Sequence, residues 1–160
     1  MIRPVTLADA AAICRIYDHY IARTVITFEE EPVSPAEMEQ RIAAITPQYP
    51  WLVAEEEGVV MGYAYASTWR SRSAYRFVAE TTVYLAPEAM GRGLGRSLYT
   101  ALLASLRERG FHAAMGVIAL PNDTSVALHE KLGFFKAAHF PEVGWKFGRW
   151  VDVGYWQIML

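Results

Sequence analysis

The chain is expected to fold as an α/β domain: a mixed, mostly antiparallel central sheet flanked by about four helices. Three observations carry that expectation. Apolar strand-like runs alternate with segments whose apolar residues recur at helical spacing, in the order β-α-α-β-β-β-α-β-α-β-β. Two of those runs, Trp51 to Glu55 and Val59 to Trp69, are separated only by the turn signal Glu57-Gly58, too short for a crossover, so they must pair antiparallel. The 160 residues, 53% hydrophobic and 20% charged, suit one domain over 1–160 with a buried core.

Ile2 to Val5 reads as a short strand, after which Thr6 and Asp9 form a helix-start signature. Ile13, Ile16, Tyr17 and Tyr20 then follow at helical spacing and face the core. Ser34, Pro35 and Glu37 supply the cap, first-turn proline and capping acid of a second helix. Beyond the hairpin, the polar stretch Arg70 to Arg76 leads into a strand over Phe77 to Leu85. A glycine-rich turn, Gly91-Arg92-Gly93-Leu94-Gly95, opens a helix carrying Leu94, Leu98, Leu102 and Leu106, which Gly110 stops. Ala113 to Leu120 is a buried strand, and Pro121-Asn122-Asp123 starts a helix ending near Gly133. Two last strands are expected around Phe134 to Ala138 and Val151 to Met159.

Composition narrows the function. Fifteen Lys and Arg against seventeen Asp and Glu leave a net charge of -2, with no bulk basic surface for nucleic acid. No apolar run reaches the ~18 residues of a membrane helix, and the N-terminal residues lack signal-peptide features. A single cysteine, Cys14, has no disulfide partner and no companions for a metal cluster. A cytoplasmic enzyme or binding protein needing no metal is expected.

A strand, a glycine turn and a helix start make an anion site, because converging N–H groups and the helix end attract negative charge. Glycines at helix starts also serve tight packing alone. The turn lacks the Gly-Lys-Ser/Thr ending of a P-loop, and Arg96 at the third position after Gly93 breaks the dinucleotide fingerprint.

The segment Val83-Tyr84-Leu85 followed by Gly91-Arg92-Gly93-Leu94-Gly95-Arg96 resembles the central motif of the GNAT superfamily of N-acetyltransferases. A second family element follows in order, Asn122 and then Leu128-His129-Glu130-Lys131-Leu132-Gly133-Phe134. Further stretches resemble the phosphinothricin and methionine sulfoximine N-acetyltransferase branch, among them His19-Tyr20-Ile21, Tyr49 to Glu55, Ala74-Tyr75, Leu98-Tyr99-Thr100 and Asp152-Val153-Gly154. The resemblance implies acetyl-CoA as co-substrate, held by Val83, Tyr84, Leu85, Gly91, Arg92, Gly93, Leu94, Gly95, Arg96 and Asn122. It implies a small amino acid or analogue as the amine, and a homodimer. Two departures stand out. Met90 occupies a position often held by Gln or Arg, and His129 stands where many relatives carry a tyrosine general acid, although this branch has histidine there too.

Glu80 is the sharpest catalytic candidate. A strand glutamate is most simply a solvated acid, but by resemblance Glu80 matches the branch's general base. An ammonium must lose a proton before its nitrogen can attack a thioester. His129 is the second candidate, as acid or orienting group. Resemblance also implies Arg72 and Tyr75 as substrate contacts, with Arg70 beside them and Phe28 and Tyr84 lining the pocket. Guanidinium groups suit a carboxylate or phosphinate, although an arginine-rich loop is commonly only a solvated turn. Cys14 lacks an acid–base partner for a covalent mechanism. Trp145, Trp150, Tyr155 and Trp156 fit either core or a homodimer contact. The rival readings are a non-catalytic acyl-CoA-sensing domain and an acetyltransferase for a protein amine.

Overall fold

A computed structural model describing residues 1–160 shows seven strands in one sheet, ordered β1-β2-β3-β4-β5-β7-β6. In chain order the elements are β1 (Ile2–Pro4), α1 (Ala10–Arg23), α2 (Pro35–Ile45), β2 (Trp51–Glu56), β3 (Val59–Thr68), β4 (Val78–Leu85), α3 (Leu94–Glu108), β5 (Ala113–Leu120), α4 (Asp123–Lys131), β6 (Phe135–Lys146) and β7 (Arg149–Met159). Short 3₁₀ turns precede α1, β4 and the glycine turn. All neighbours pair antiparallel except β4 and β5, which α3 connects as a crossover.

The caps anticipated from sequence form as hydrogen bonds. The Asp9 carboxylate accepts from the Thr6 N–H at 2.7 Å, and Arg3 clamps Asp9 and Glu55 together. Ser34 Oγ accepts from the Glu37 N–H, with Pro35 in the first turn of α2.

Strand alternation gives the sheet two different faces. On one, α1 sets Ile13, Ile16, Tyr17 and Tyr20 against Trp51, Val53, Tyr63 and Tyr84. On the other, α3 packs Leu98, Leu102 and Leu106 over Ala54, Ala64, Ala66, Ala79 and Ala114. Those alanines let the helix approach closely and bury its leucine ridge completely.

Two boundaries differ from the sequence expectation. β4 starts at Val78, leaving Phe77 half exposed at the strand's mouth. β6 does not stop at Ala138 but continues to Lys146, with register shifts at Lys136–Ala138 and Phe140–Gly144. The second shift accommodates Pro141, which has no N–H to donate, and Glu142 at a φ of 52°, whose N–H is taken by Asp152 Oδ1. The aromatic C-terminal segment divides accordingly. Trp156 is core, whereas Trp145 and Trp150 pack on each other outside it.

Candidate active site

The site arises where β4 and β5 part. They pair only from Val78↔Ala113 to Thr81↔Gly116; β5 then continues on β7, while Thr82 to Leu85 keep only β3 as partner. The backbone groups of Thr82 to Leu85 that face β5 are thereby freed, and a cavity of about 280 Å³ opens in the cleft. Its walls include Phe28, Tyr65, Glu80, Val83, Tyr84, Val117, Asn122 and His129. Five of the residues anticipated from sequence and spread from 28 to 129 thus meet the candidate base Glu80 in one space.

Glu80 stands on the α1/α2 face of β4, in the same row as Tyr84, and is partly buried. Burial pushes its carboxyl above the ordinary carboxylate range, and the positive charge of Arg70 offsets this in part. A carboxylate whose pKa is raised in this way is a stronger base than an ordinary one. Tyr84 is fixed by the rings of Tyr17, Tyr20 and Tyr63, with centroids at 5.3, 4.8 and 5.6 Å. Leu85 does not line the cavity; its side chain lies between both core clusters, and its carbonyl accepts the Tyr20 hydroxyl.

His129 enters from the opposite face and is 5% exposed. Its Nδ1 lies 2.7 Å from the Ser125 carbonyl, which can only accept, so Nδ1 carries the proton. Nε2 then accepts the Tyr99 hydroxyl at 2.9 Å, and the Thr81 hydroxyl, with one proton to give, lies within reach of both the Tyr99 oxygen and the Met115 carbonyl. Burial lowers the His129 pKa and keeps the ring neutral. Both ring nitrogens are engaged within the protein, which suits an orienting group better than a proton donor.

The glycine turn has the conformation an anion cradle needs. Gly91 and Gly93 adopt φ of 75° and 79°, in the left-handed region. A Cβ at either would meet no protein atom within 4 Å, so the surface they expose is open rather than packed. The first backbone bond of α3 is donated by Ser97 to Gly93, which leaves the N–H groups of Leu94, Gly95 and Arg96 without intrahelical acceptors. Gly95 is buried against Leu85 and Leu128, seating the helix on the sheet. Arg92 is paired with Glu56 at 2.9 Å across the β2–β3 turn, whereas Arg96 is exposed on the first turn of α3. Across the cleft, Asn122 Oδ1 caps α4 by accepting from the Ser125 N–H. Converging amides, a helix start and an adjacent arginine fit the phosphates of a coenzyme, and the strand cleft fits an extended arm.

The arginine loop is only partly assembled with the site. None of its residues lines the cavity: Arg70, Arg72 and Tyr75 line a separate depression with Trp69 and Ser71, and Arg70 bears on Glu80 only through its charge. Tyr75 packs edge-on to Trp69, and the Arg70 guanidinium sits over the same indole. His19, in one of the stretches that carry the resemblance, packs on Tyr20 and does not line the cavity. Sequence reasoning missed Thr27, Tyr65, Val117 and Ser125 as cavity walls, and Thr81 and Tyr99 as partners of His129. Tyr65 and Thr82 could have been found by extending the alternation from Glu80, since they are register partners.

Comparison with known proteins agrees with this geometry. Residues 2–154 match the family described as an acetyltransferase (GNAT) domain. Among curated proteins, the phosphinothricin N-acetyltransferase of Streptomyces viridochromogenes is 47% identical over 156 residues, spanning 98% of this chain and 85% of that protein. The L-methionine sulfoximine/L-methionine sulfone acetyltransferase of Salmonella typhimurium is 40% identical over 157 residues, spanning 96% and 90%. Among solved structures, a GNAT superfamily phosphinothricin acetyltransferase from Sinorhizobium meliloti in complex with acetyl-CoA superposes with a TM-score of 0.97 at 41% identity, covering 100% of this chain and 88% of that one.

Proposed function

The chain belongs to the GNAT acetyltransferase family, and we propose that it transfers the acetyl group of acetyl-CoA to the amine of a small amino acid or analogue of the phosphinothricin or methionine sulfoximine kind. The observation that carries this reading is the parting of β4 from β5: it opens a cavity that holds the partly buried Glu80 carboxylate, on the strand whose C-terminal end leads into the open amides of Gly91 to Arg96, which suit phosphate.

Acetyl-CoA supplies the acyl group as a thioester. Glu80 accepts the proton that the substrate ammonium must lose, directly or through one water, and so exposes the nitrogen lone pair. The N–C bond forms as the C–S bond breaks, sulfur leaves with the electron pair, and the second proton lost by the nitrogen passes to that thiolate, giving the amide and the free thiol. Backbone N–H groups freed between Thr82 and Leu85 are suited to polarising the acyl carbonyl, an interaction that strengthens as charge develops on oxygen. His129 acts as a positioning residue, holding Tyr99 and the β5 edge of the cleft in register. Phe28 and Tyr84 wall the amine side and Asn122 the coenzyme side of the cavity, while Arg96, exposed on the first turn of α3, is available to the phosphates. The protein acts as a homodimer in this reading, with exposed Trp145 and Trp150 available to the contact.

The arginine loop supplies the contact to the substrate's anionic group, Arg70 from beside Glu80 and Arg72 from the loop's exposed arm. Wild type is expected to prefer an amino acid over its decarboxylated amine by about 10–150-fold in kcat/KM, the worth of one charge-assisted hydrogen bond. Arg72→Ala should erode that preference, and Arg72→Lys should restore only part of it, because lysine lacks the planar fork. Arg70→Ala should also move the acid limb of the pH–rate profile upward, since it removes the one charge that lowers the Glu80 pKa. Equal use of both amines by wild type would show that the loop does not read the anion.

A further inference from the structure

Part of the cavity wall is formed by Ile26, Thr27 and Phe28, in the connection between α1 and α2. None of the 95 backbone–backbone hydrogen bonds involves residues 25–33. Side chains must therefore hold this segment in place. Within the neighbouring helices, the Tyr17 hydroxyl meets Thr27 Oγ1 at 2.8 Å and Arg41 pairs with Glu29 at 2.7 Å. The remaining tie comes from the far end of the chain. Lys146, on β6, donates from Nζ to the Thr27 carbonyl at 2.8 Å.

Lys146 is 1% exposed. An ammonium buried to that extent costs free energy unless its hydrogen bonds are made, and an apolar side chain of the same length would fill the space at less cost. What distinguishes lysine here is its grip on a carbonyl that nothing else takes. Two residues earlier, Gly144 receives the Phe28 ring so closely that a Cβ would collide with it. β6 therefore holds consecutive residues of the wall: Thr27 through the Lys146 ammonium, and Phe28 through the missing side chain of Gly144.

We propose that Lys146, with Gly144, is the positioning element of the amine side of the cavity, holding Thr27 and Phe28 against the space beside Glu80. This rests on reading that space as the amine site. Lys146 touches neither Glu80 nor the glycine turn, so it sets how well the amine is held rather than the chemical step or coenzyme affinity.

Lys146→Met tests this, because methionine has similar length and no donor. With L-phosphinothricin or L-methionine sulfoximine, the amine KM is expected to rise about tenfold or more, the loss of one charged hydrogen bond. kcat should stay within about threefold, and acetyl-CoA affinity should be unchanged. Lys146→Arg, which keeps a donor, should recover part of the KM. Gly144→Ala, which leaves the ammonium and displaces Phe28, should raise the same KM, and it carries the test if Lys146→Met does not fold. A second readout needs no substrate: glutamyl endopeptidase should cut the wall at Glu29 to Glu31 faster in Lys146→Met than in wild type. An active wild type whose Lys146→Met variant shows unchanged amine KM and unchanged cleavage overturns the tether alone. A fall in kcat with amine KM unaltered also overturns it, as that is the signature of a smaller folded fraction. A wild type that acetylates no amine, while cleavage still accelerates in the variant, overturns the reading of the site instead.

Discussion

Replacing Glu80 with glutamine is expected to lower kcat by ~10²–10⁴-fold while leaving acetyl-CoA affinity within a small factor, because general-base catalysis has that worth and the substitution is nearly isosteric. The pH profile gives a second, independent signature. The base works ionised, so kcat/KM should rise as pH passes its pKa, and burial places that pKa above the ordinary 4.5. This limb should disappear in Glu80→Gln. The same shift has a stability consequence with a definite sign. A carboxyl whose pKa is raised by folding binds more protons folded than unfolded, so stability falls as pH climbs from 4.5 through the raised value. Glu80→Gln should flatten that part of the stability curve. A variant that keeps most of its activity and its acid limb would remove Glu80 from the role of base.

Gly93→Val should abolish measurable acetyl-CoA binding in calorimetry, with Kd rising ~100-fold or more as several amide contacts to charged oxygen are lost. The fold should survive. A valine Cβ at Gly93 meets no protein atom, so the cost is the strain of φ at 79°, about 1–3 kcal/mol against an ordinary domain stability of about 5–15 kcal/mol. Retained affinity in a folded Gly93→Val would place the phosphates elsewhere. The Arg92–Glu56 pair makes a contrasting position. Arg92 must leave an exposed ion pair to reach an anion, whereas Arg96 is already on the first turn of α3, so Arg96→Ala should weaken binding more than Arg92→Ala.

Most of this architecture can be read along the chain, because strand and helix periods and their caps are local signals. The order of elements, the β2–β3 hairpin, the Ser34 and Asn122 caps and the helix stop at Gly110 all follow from residues within a few positions of one another. The end of β6 does not. Pro141 and Gly144 look like breakers, yet β7 supplies a long partner that carries the strand past them through a bulge. Glu80 is conspicuous as a charge in an apolar run, and the glycine turn by its spacing. What remains hidden is what depends on distant partners. The wall at Thr27 and Phe28 has no period of its own and is held from residue 146; His129 shows its character only beside Thr81 and Tyr99. Lys146 did carry a signal, a lysine between Trp145 and Phe147, which loses its force once the strand is ended at Ala138.

The central claim is that one cleft brings a coenzyme-bound acetyl group to a small anionic amine. It is tested most directly by incubating the protein and acetyl-CoA with, in turn, L-phosphinothricin, L-methionine sulfoximine, the common amino acids, a polyamine and a peptide with a free N-terminus. Thiol release and the mass of the product are followed together. The account expects stoichiometric release and an N-acetyl product with at least one of the amino acids or analogues, and no product with the polyamine. Release with the peptide alone, or tight acetyl-CoA binding with no acetylated product from any amine, would contradict it.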